Sequence, residues 1–412
     1  MINLNNIKDD SNIESAFERL MSTGLSSPLD KVVEFNDEPK IPTYISLPSK
    51  RARELYKCYD AFGQGSSFNN NLAKVKAVAE FLERLAAYNP NIKKLIRCDF
   101  SEKKCINPSL FVHHKDMQKK QEKDYNINFW SSAFDYISKK RVLVPAQVVY
   151  LHNKLSRENG ILMEQITTGT ALGDGYAMAF HNGLMEVIER DAFMIAYYNK
   201  RKIKRVEGFS GIIRSVVDYL NKYQLEVFVF DITNDINIAT FMSILVDRSG
   251  LGPAISTGLK SGFNYEETII GSILEAVQPR RYSRLMKEMN KEFKFPEVTD
   301  IKSTMDRYYY WYRRESIKYL DFWLKGTARI RYDKLPDYIS DLGKFTKTVK
   351  KRGYHIFSVD ITLNEVRKKN FRVIKVLVPE LHPLYISENA SANYSMHAGS
   401  LNLNNMKPHP FA

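Results

Sequence analysis

The pentapeptide Glu80-Phe-Leu-Glu83-Arg84 returns further along the chain as Glu186-Val-Ile-Glu189-Arg190. Each copy lies in a stretch of helical periodicity, and each follows a glycine-bearing segment, GQGSS at residues 63–67 and TTGTALGDG at residues 167–175. Self-similarity of this kind constrains the fold more than any local propensity, because copies of one supersecondary unit must bury matching faces. The chain therefore reads as two similar helix-bearing modules in one polypeptide.

Around the repeats, helical periodicity spans residues 73–87, 176–199, 212–223, 265–289 and 305–319. Strand-like runs span 142–151, 225–231, 238–246, 354–360 and 372–378. Such interleaving predicts an α/β fold of α+β layers. The first 48 residues are polar, with one short helix expected at 13–21, and the last 22 are rich in Ser, Asn and Pro. The expected division is an N-terminal extension (1–59), a main domain (60–390) and a proline-containing tail (391–412).

With 412 residues, 44% hydrophobic and 26% charged, the chain has apolar surface for a sizeable core, which excludes a disordered chain, a collagen and a coiled-coil rod. No apolar run approaches the roughly 20 residues of a membrane helix. The N-terminus lacks the pattern of a secretory signal, and the reading is cytoplasmic. Cys58, Cys98 and Cys105 fit neither a zinc site nor a closed disulfide set, and only His113 and His114 are adjacent, so iron and zinc chemistry are not indicated. Basic clusters at 200–205, 280–284, 347–352 and 367–372 contribute to a net charge of +14. They read as solvated faces or as anion sites, and no nucleic-acid fold signature accompanies them.

The repeated carboxylates raise a sharper question. Alone, the first copy looks like a solvated helix face, with Val75, Val78, Leu82 and Leu85 buried and Lys76, Glu80 and Glu83 opposite. The second copy is apolar on both sides, with Phe180, Leu184, Val187 and Ile188 on one face and Met178, Met185 and Phe193 interleaved with Glu186 and Glu189 on the other. Buried carboxylates need cations or donors. If the modules face each other, four carboxylates converge and call for multivalent cations. Magnesium suits an all-oxygen set in which no histidine takes the place a di-iron site requires. Magnesium usually brings a nucleotide, and the segments before both helices could offer backbone N–H groups to phosphate, although ordinary turn glycines give the same pattern.

The motifs resemble those of the YcaO family, ATP-dependent enzymes that activate peptide-backbone amides. TTGTALGDGYAMAFHNGLMEVIERDAF (167–193) is similar to its central motif and KAVAEFLERL (76–85) to its first helix. EAVQPR (275–280) resembles its later E-A-x-Q-x-R segment, and VIKVLVPELHPL (373–384) its late strand. The resemblance implies a YcaO-type fold whose two modules enclose an ATP site. It implies that Glu80, Glu83, Glu186 and Glu189 hold magnesium, that Arg190 and Arg280 contact phosphate and serve catalysis, and that Ser66, Ser67 and Gln278 assist cofactor binding. Lys76 stands where the family has Ser, and Asn182 where Gln or His is frequent; both are carried as cofactor-binding candidates. The ending Pro408-His-Pro410-Phe-Ala412 resembles the proline-rich tail that enters the active site of azole-forming members, with Ala412 in place of the final proline and its carboxylate as a catalytic candidate. A chain end with two prolines is otherwise commonly disordered.

The implied activity is ATP- and Mg2+-dependent cyclodehydration of a ribosomally made precursor peptide, of the kind that builds thiazole/oxazole-modified bacteriocins. A Cys, Ser or Thr side chain attacks the preceding amide, whose oxygen is phosphorylated and leaves, giving a thiazoline or oxazoline. The implied partners are the precursor peptide, a ubiquitin-activating-enzyme-like leader-binding protein and a flavin-dependent azoline dehydrogenase, with a homodimer as the expected assembly. A separate leader-binding protein is expected because few residues precede the similarity. Thioamidation is the alternative within the family. A non-catalytic nucleotide- or peptide-binding scaffold and an RNA-associated protein are the alternatives outside it.

Overall fold

The computed structural model describes residues 10–97, 104–114, 127–151, 155, 162–290, 294–388, 392–402 and 407–411. Helix α1 (Asp10–Met21) leads to β1 (Asp30–Lys31), β2 (Thr43–Ser46), α2 (Lys50–Tyr56), β3 (Gly63–Ser66) and α3 (Asn70–Tyr88). Next come β4 (Trp130–Asp135), β5 (Lys140–Pro145), β6 (Thr170–Asp174), α4 (Tyr176–Tyr198), β7 (Lys204–Glu207) and α5 (Gly211–Asn221). The chain continues with β8 (Leu225–Asp231), β9 (Thr240–Asp247), β10 (Ile255–Ser261), α6 (Tyr265–Met289) and α7 (Thr304–Tyr310). It closes with β11 (Ala328–Arg331), β12 (Phe357–Asp360) and β13 (Phe371–Leu377) ahead of a small terminal hairpin. This is the mixed α/β architecture expected from the sequence.

The strands form three main sheets, ordered β1-β2-β3, β5-β4-β12-β13-β6 and β10-β9-β8-β7-β11. Pairing is antiparallel except between β7 and β11. The strands β3, β6 and β10 each stand at the edge of their sheet, and each is followed by a long helix. The two modules expected from the repeat are β3–α3 and β6–α4, and a third unit, β10–α6, joins them.

Helix α4 is apolar all round because it lies between two sheets, against β6 and β13 on one side and β9 and β10 on the other. Phe180, Leu184 and Ile188 pack with Ile374 and Val376, while Phe193, Met194 and Tyr197 pack with Ile244, Val246 and Leu259. The N-terminal segment is not peripheral. Leu20, Leu25 and Ile41 are buried, and Arg19 pairs with Asp174 at 2.6 Å.

The glycine-bearing segments expected as loops are largely the strands β3 and β6. Glycine occurs there because the following helix packs against the strand with no room for a side chain. A Cβ on Gly65 would fall inside the backbone of Ala73 and Ala77, and one on Gly258 inside the backbone of Ser272 and Ala276. We expect Gly258→Ala to cost about 3 kcal/mol, the upper end of overpacking penalties, because both obstacles are main chain. Chemical denaturation measures it, and wild-type stability would mean that α6 can slide freely on β10.

Candidate active site

An edge strand leaves one row of amides without a strand partner, and buried amides must find acceptors. Glutamates on the three long helices supply them. The Gln64 amide donates to Glu80 Oε2 (2.7 Å), the Gly169 amide to Glu186 Oε2 (2.7 Å) and the Leu259 amide to Glu275 Oε2 (2.8 Å). One helical turn on, the next side chain reaches the neighbouring unit. The Leu172 amide donates to Glu83 Oε1 (2.6 Å) and the Ser261 amide to Glu189 Oε2 (3.0 Å). Gln278 and Gln64 exchange side-chain to backbone bonds, both 3.2 Å. Helix α3 thus reaches β6, α4 reaches β10 and α6 reaches β3, which closes a circle of three.

The first repeat is therefore not a solvated helix face. Glu80 and Glu83 are half-buried and tied to strands of two different sheets. Glu275 is the carboxylate that sequence reading missed as a site residue. Its signal was present in Glu275-Ala-Val-Gln278, where Gln and Pro279 replace the second Glu and the Arg of the other copies.

The electrostatics carry the imprint of crowded negative charge. Burial, then the charges of Glu186 and Glu80, hold the Glu83 carboxyl well above the ordinary range, although the Leu172 amide eases it. Burial and Glu275 push Glu189 up to about 8 against the attraction of Lys260 and Arg190. Burial likewise raises Glu275. Arg84 and Arg190 answer part of this charge by pairing with Glu80 and Glu186, both at 2.6 Å. Two further residues face the same charges. Burial, Glu275 and Glu80 raise the Tyr308 hydroxyl, and burial lowers Lys375 to about 7 despite Glu186. The Lys375 ammonium donates to the carbonyls of Ile166 (3.1 Å) and Thr168 (2.8 Å), while Arg190 is held by the Thr168 hydroxyl.

Other expected site residues are placed differently. The Arg280 guanidinium is buried away in an ion-pair group with Glu38 (3.1 Å) and Asp247 (2.7 Å), and it also donates to the Pro253 carbonyl. Two neighbouring carboxylates hold it, one of them from the N-terminal segment. The Ser66 hydroxyl bonds Thr43, and the Ser67 hydroxyl accepts from the Asn69 amide, so both serve local structure. Lys76 Nζ donates to the Ser66 carbonyl at 3.3 Å. Asn182 is exposed one turn before Glu186, and Gln278 is the third unit's link to β3.

The described part of the tail reaches Arg190. Residues 408–411 are buried. Tyr197 and Trp311 donate to the Pro408 carbonyl, Arg307 to that of His409 (3.0 Å) and Thr257 to that of Pro410 (2.8 Å). The Phe411 ring packs on Phe193 and lies 6.0 Å from Arg190 Cζ. Ala412 and Cys98 lie outside the described residues, and Cys58 and Cys105 are in no disulfide.

Among the described residues no three His, Cys, Asp or Glu side chains close around a single metal ion. A complete cage is not what magnesium with a nucleotide needs, since phosphates and waters fill most of its shell. The residues fit such a pair in two respects. The donors are all carboxyl groups that burial and one another's charge hold above their ordinary range, and Arg190 Nε and Thr170 Oγ1 are buried without a partner.

The family model for YcaO cyclodehydratase, ATP- and Mg2+-binding, matches residues 63–382. The chain belongs to the YcaO family. ATP and Mg2+ are the cofactors of that family. Its fold is shared by a heterocyclase solved with substrate and cofactor, at a TM-score of 0.68 and 16% identity over 89% of this chain and 52% of that one. YcaO from Methanopyrus kandleri bound with AMPPCP and Mg2+ gives 0.65 and 19%, covering 96% of both chains. The E. coli microcin synthetase McbBCD complex gives 0.62 and 14%, covering 93% of both. An uncharacterized protein of Methanothermobacter thermautotrophicus is 26% identical over 222 residues. That match covers 52% of this chain and 56% of the relative, so the chain spans about half the length of this curated relative. Among the described residues no helix is long and apolar enough to cross a membrane.

Proposed function

We propose that this YcaO protein is an ATP-dependent cyclodehydratase that forms thiazolines or oxazolines from Cys, Ser or Thr in a ribosomally made precursor peptide. The observation that carries the reading is the circle of Glu80, Glu83, Glu186, Glu189 and Glu275, with Arg190 and the buried tail at its side. Bound ATP and Mg2+ supply a transferable phosphoryl group and the charge neutralisation its transfer needs. The five glutamates would hold the metal, and Arg190 would offer its unpartnered Nε–H to phosphate. Lys375 and Thr168 keep Arg190 and Glu186 in position through the 167–169 turn.

The amide oxygen is a poor leaving group until it carries phosphate. The site's task is therefore positioning and charge balance, and the carboxylates are ligands rather than nucleophiles. The fold shared with the McbBCD complex supports a partner protein that delivers the peptide. Incubated with ATP, Mg2+, partner and precursor, the enzyme should remove one water mass per ring while releasing ADP and phosphate. Mass spectrometry decides. Exchange of oxygen for sulfur would select thioamidation, and an unchanged peptide without ATP consumption would select a scaffold.

A further inference from the structure

The three units of the circle are not equivalent one turn before their first glutamate. Lys76 precedes Glu80 there and Asn182 precedes Glu186, but the position before Glu275 is Gly271. The space is used by another residue. A Cβ on Gly271 would lie 3.0 Å from Lys260 Cγ and 3.3 Å from its Cδ, so the stem of Lys260 runs across the glycine.

Lys260 also sits between the two strand residues that bind carboxylates. The Leu259 amide holds Glu275 and the Ser261 amide holds Glu189. Both flanking side chains are buried, whereas Lys260 is exposed. Among the described residues it makes no ion pair within 4.0 Å. Desolvation by the surrounding protein opposes its ammonium, and the charges of Glu189, Glu275 and Glu186 outweigh that cost. It is a cation drawn to the circle but not locked to any member of it.

We propose that Lys260 is the resident counter-ion of the Glu189 and Glu275 side of the circle, where it competes with Mg2+ until the nucleotide brings the metal in. The idea rests on the proposed magnesium role of these glutamates. A positive charge beside a divalent cation's ligands opposes that cation, and phosphate supplies the negative charge that reverses the balance. Metal alone should then bind weakly, and metal with nucleotide well.

Calorimetry on the full chain tests this with Mg2+ alone and with Mg2+ plus a non-hydrolysable ATP analogue. Lys260→Gln should bind Mg2+ alone roughly tenfold more tightly than wild type, the order expected for removing a nearby unit charge. Lys260→Arg should match wild type. Metal-free Lys260→Gln should also melt below wild type, with the gap closing as Mg2+ is added. Equal Mg2+ affinity in Lys260→Gln and wild type, or equal tightening in Lys260→Arg, overturns the counter-ion role while leaving the site itself intact. Wild-type protein that binds neither Mg2+ nor the Mg2+–analogue pair overturns both the counter-ion role and the proposed site.

Discussion

Glu189→Gln is expected to weaken magnesium-dependent nucleotide binding by at least about 10²-fold and, at the same time, to stabilise the metal-free protein. The first effect follows from removing an anionic ligand, since even outer partners of metal sites cost 10- to 100-fold when lost. The second follows from burial. Glu189 is 2% exposed, and its carboxyl is pushed up to about 8. At pH 7 the folded chain must keep a proton that the unfolded chain releases near pH 4.5, a cost on the order of 3 kcal/mol. Glutamine keeps the volume and the acceptor for the Ser261 amide without that cost. The sign in pH follows. A carboxyl raised in the folded state costs nothing below about pH 4.5, where both states hold the proton, and the cost grows until about pH 8. The gain of Glu189→Gln should therefore vanish toward pH 4.5 and be largest near pH 8. Calorimetry with nucleotide and thermal melting without it read the two halves. Wild-type nucleotide affinity in this variant would remove Glu189 from the metal set.

Removing residues 408–412 is expected to lower peptide cyclisation by about 10²- to 10⁴-fold, the range of a lost general base, with nucleotide binding to the folded protein reduced far less. Each proline narrows the backbone and extends the residue before it, so the segment enters the core at a reduced entropic cost. Once there it is integral. The carbonyls at 408–410 take donors from Tyr197, Trp311, Arg307 and Thr257, and deletion would leave the fully buried Arg307 and Trp311 short of acceptors. Stability should fall with activity. Phe411→Ala isolates the packing part of this, because it keeps the carbonyls and removes only the ring against Phe193 and Arg190. It should cost about 3–5 kcal/mol of stability, as buried Phe-to-Ala changes do. Cyclisation by the truncated protein at the wild-type rate would reduce the tail to a structural plug.

The repeat was legible because helices α3 and α4 carry the same five-residue pattern. The long helices and the apolar strands β8, β9 and β13 were legible from periodicity. The edge strands were not. Gly63, Gly65, Gly173 and Gly258 carry the sequence signal of a turn, yet they stand in strands because a helix backbone presses against them. The third unit was hidden by two substitutions. Gln278 keeps the link to β3 without a charge, and Pro279 replaces the arginine. The ion pairs of Arg280 were hidden for a different reason. The motif identifies the residue type, but only the folded chain brings Glu38 from the N-terminal segment against it. Lys260 and Lys375 gave no motif, since their environment is made by elements far apart in sequence.

The cyclic linkage of the three units has a mechanical consequence. The helix of each unit is pinned to its own strand by one side chain and to the next unit's strand by another, so the three sheets meet in the manner of stones around a keystone. What fills the centre also draws the three together. Ligand energy spent there is shared among three seams of the fold, and anything that binds only the assembled centre stabilises the whole chain by mass action. Emptied, the same centre crowds buried carboxyl groups, held above their ordinary range, at the place where the sheets meet. The protein has thus put its proposed ligand site and its main architectural joint in one place.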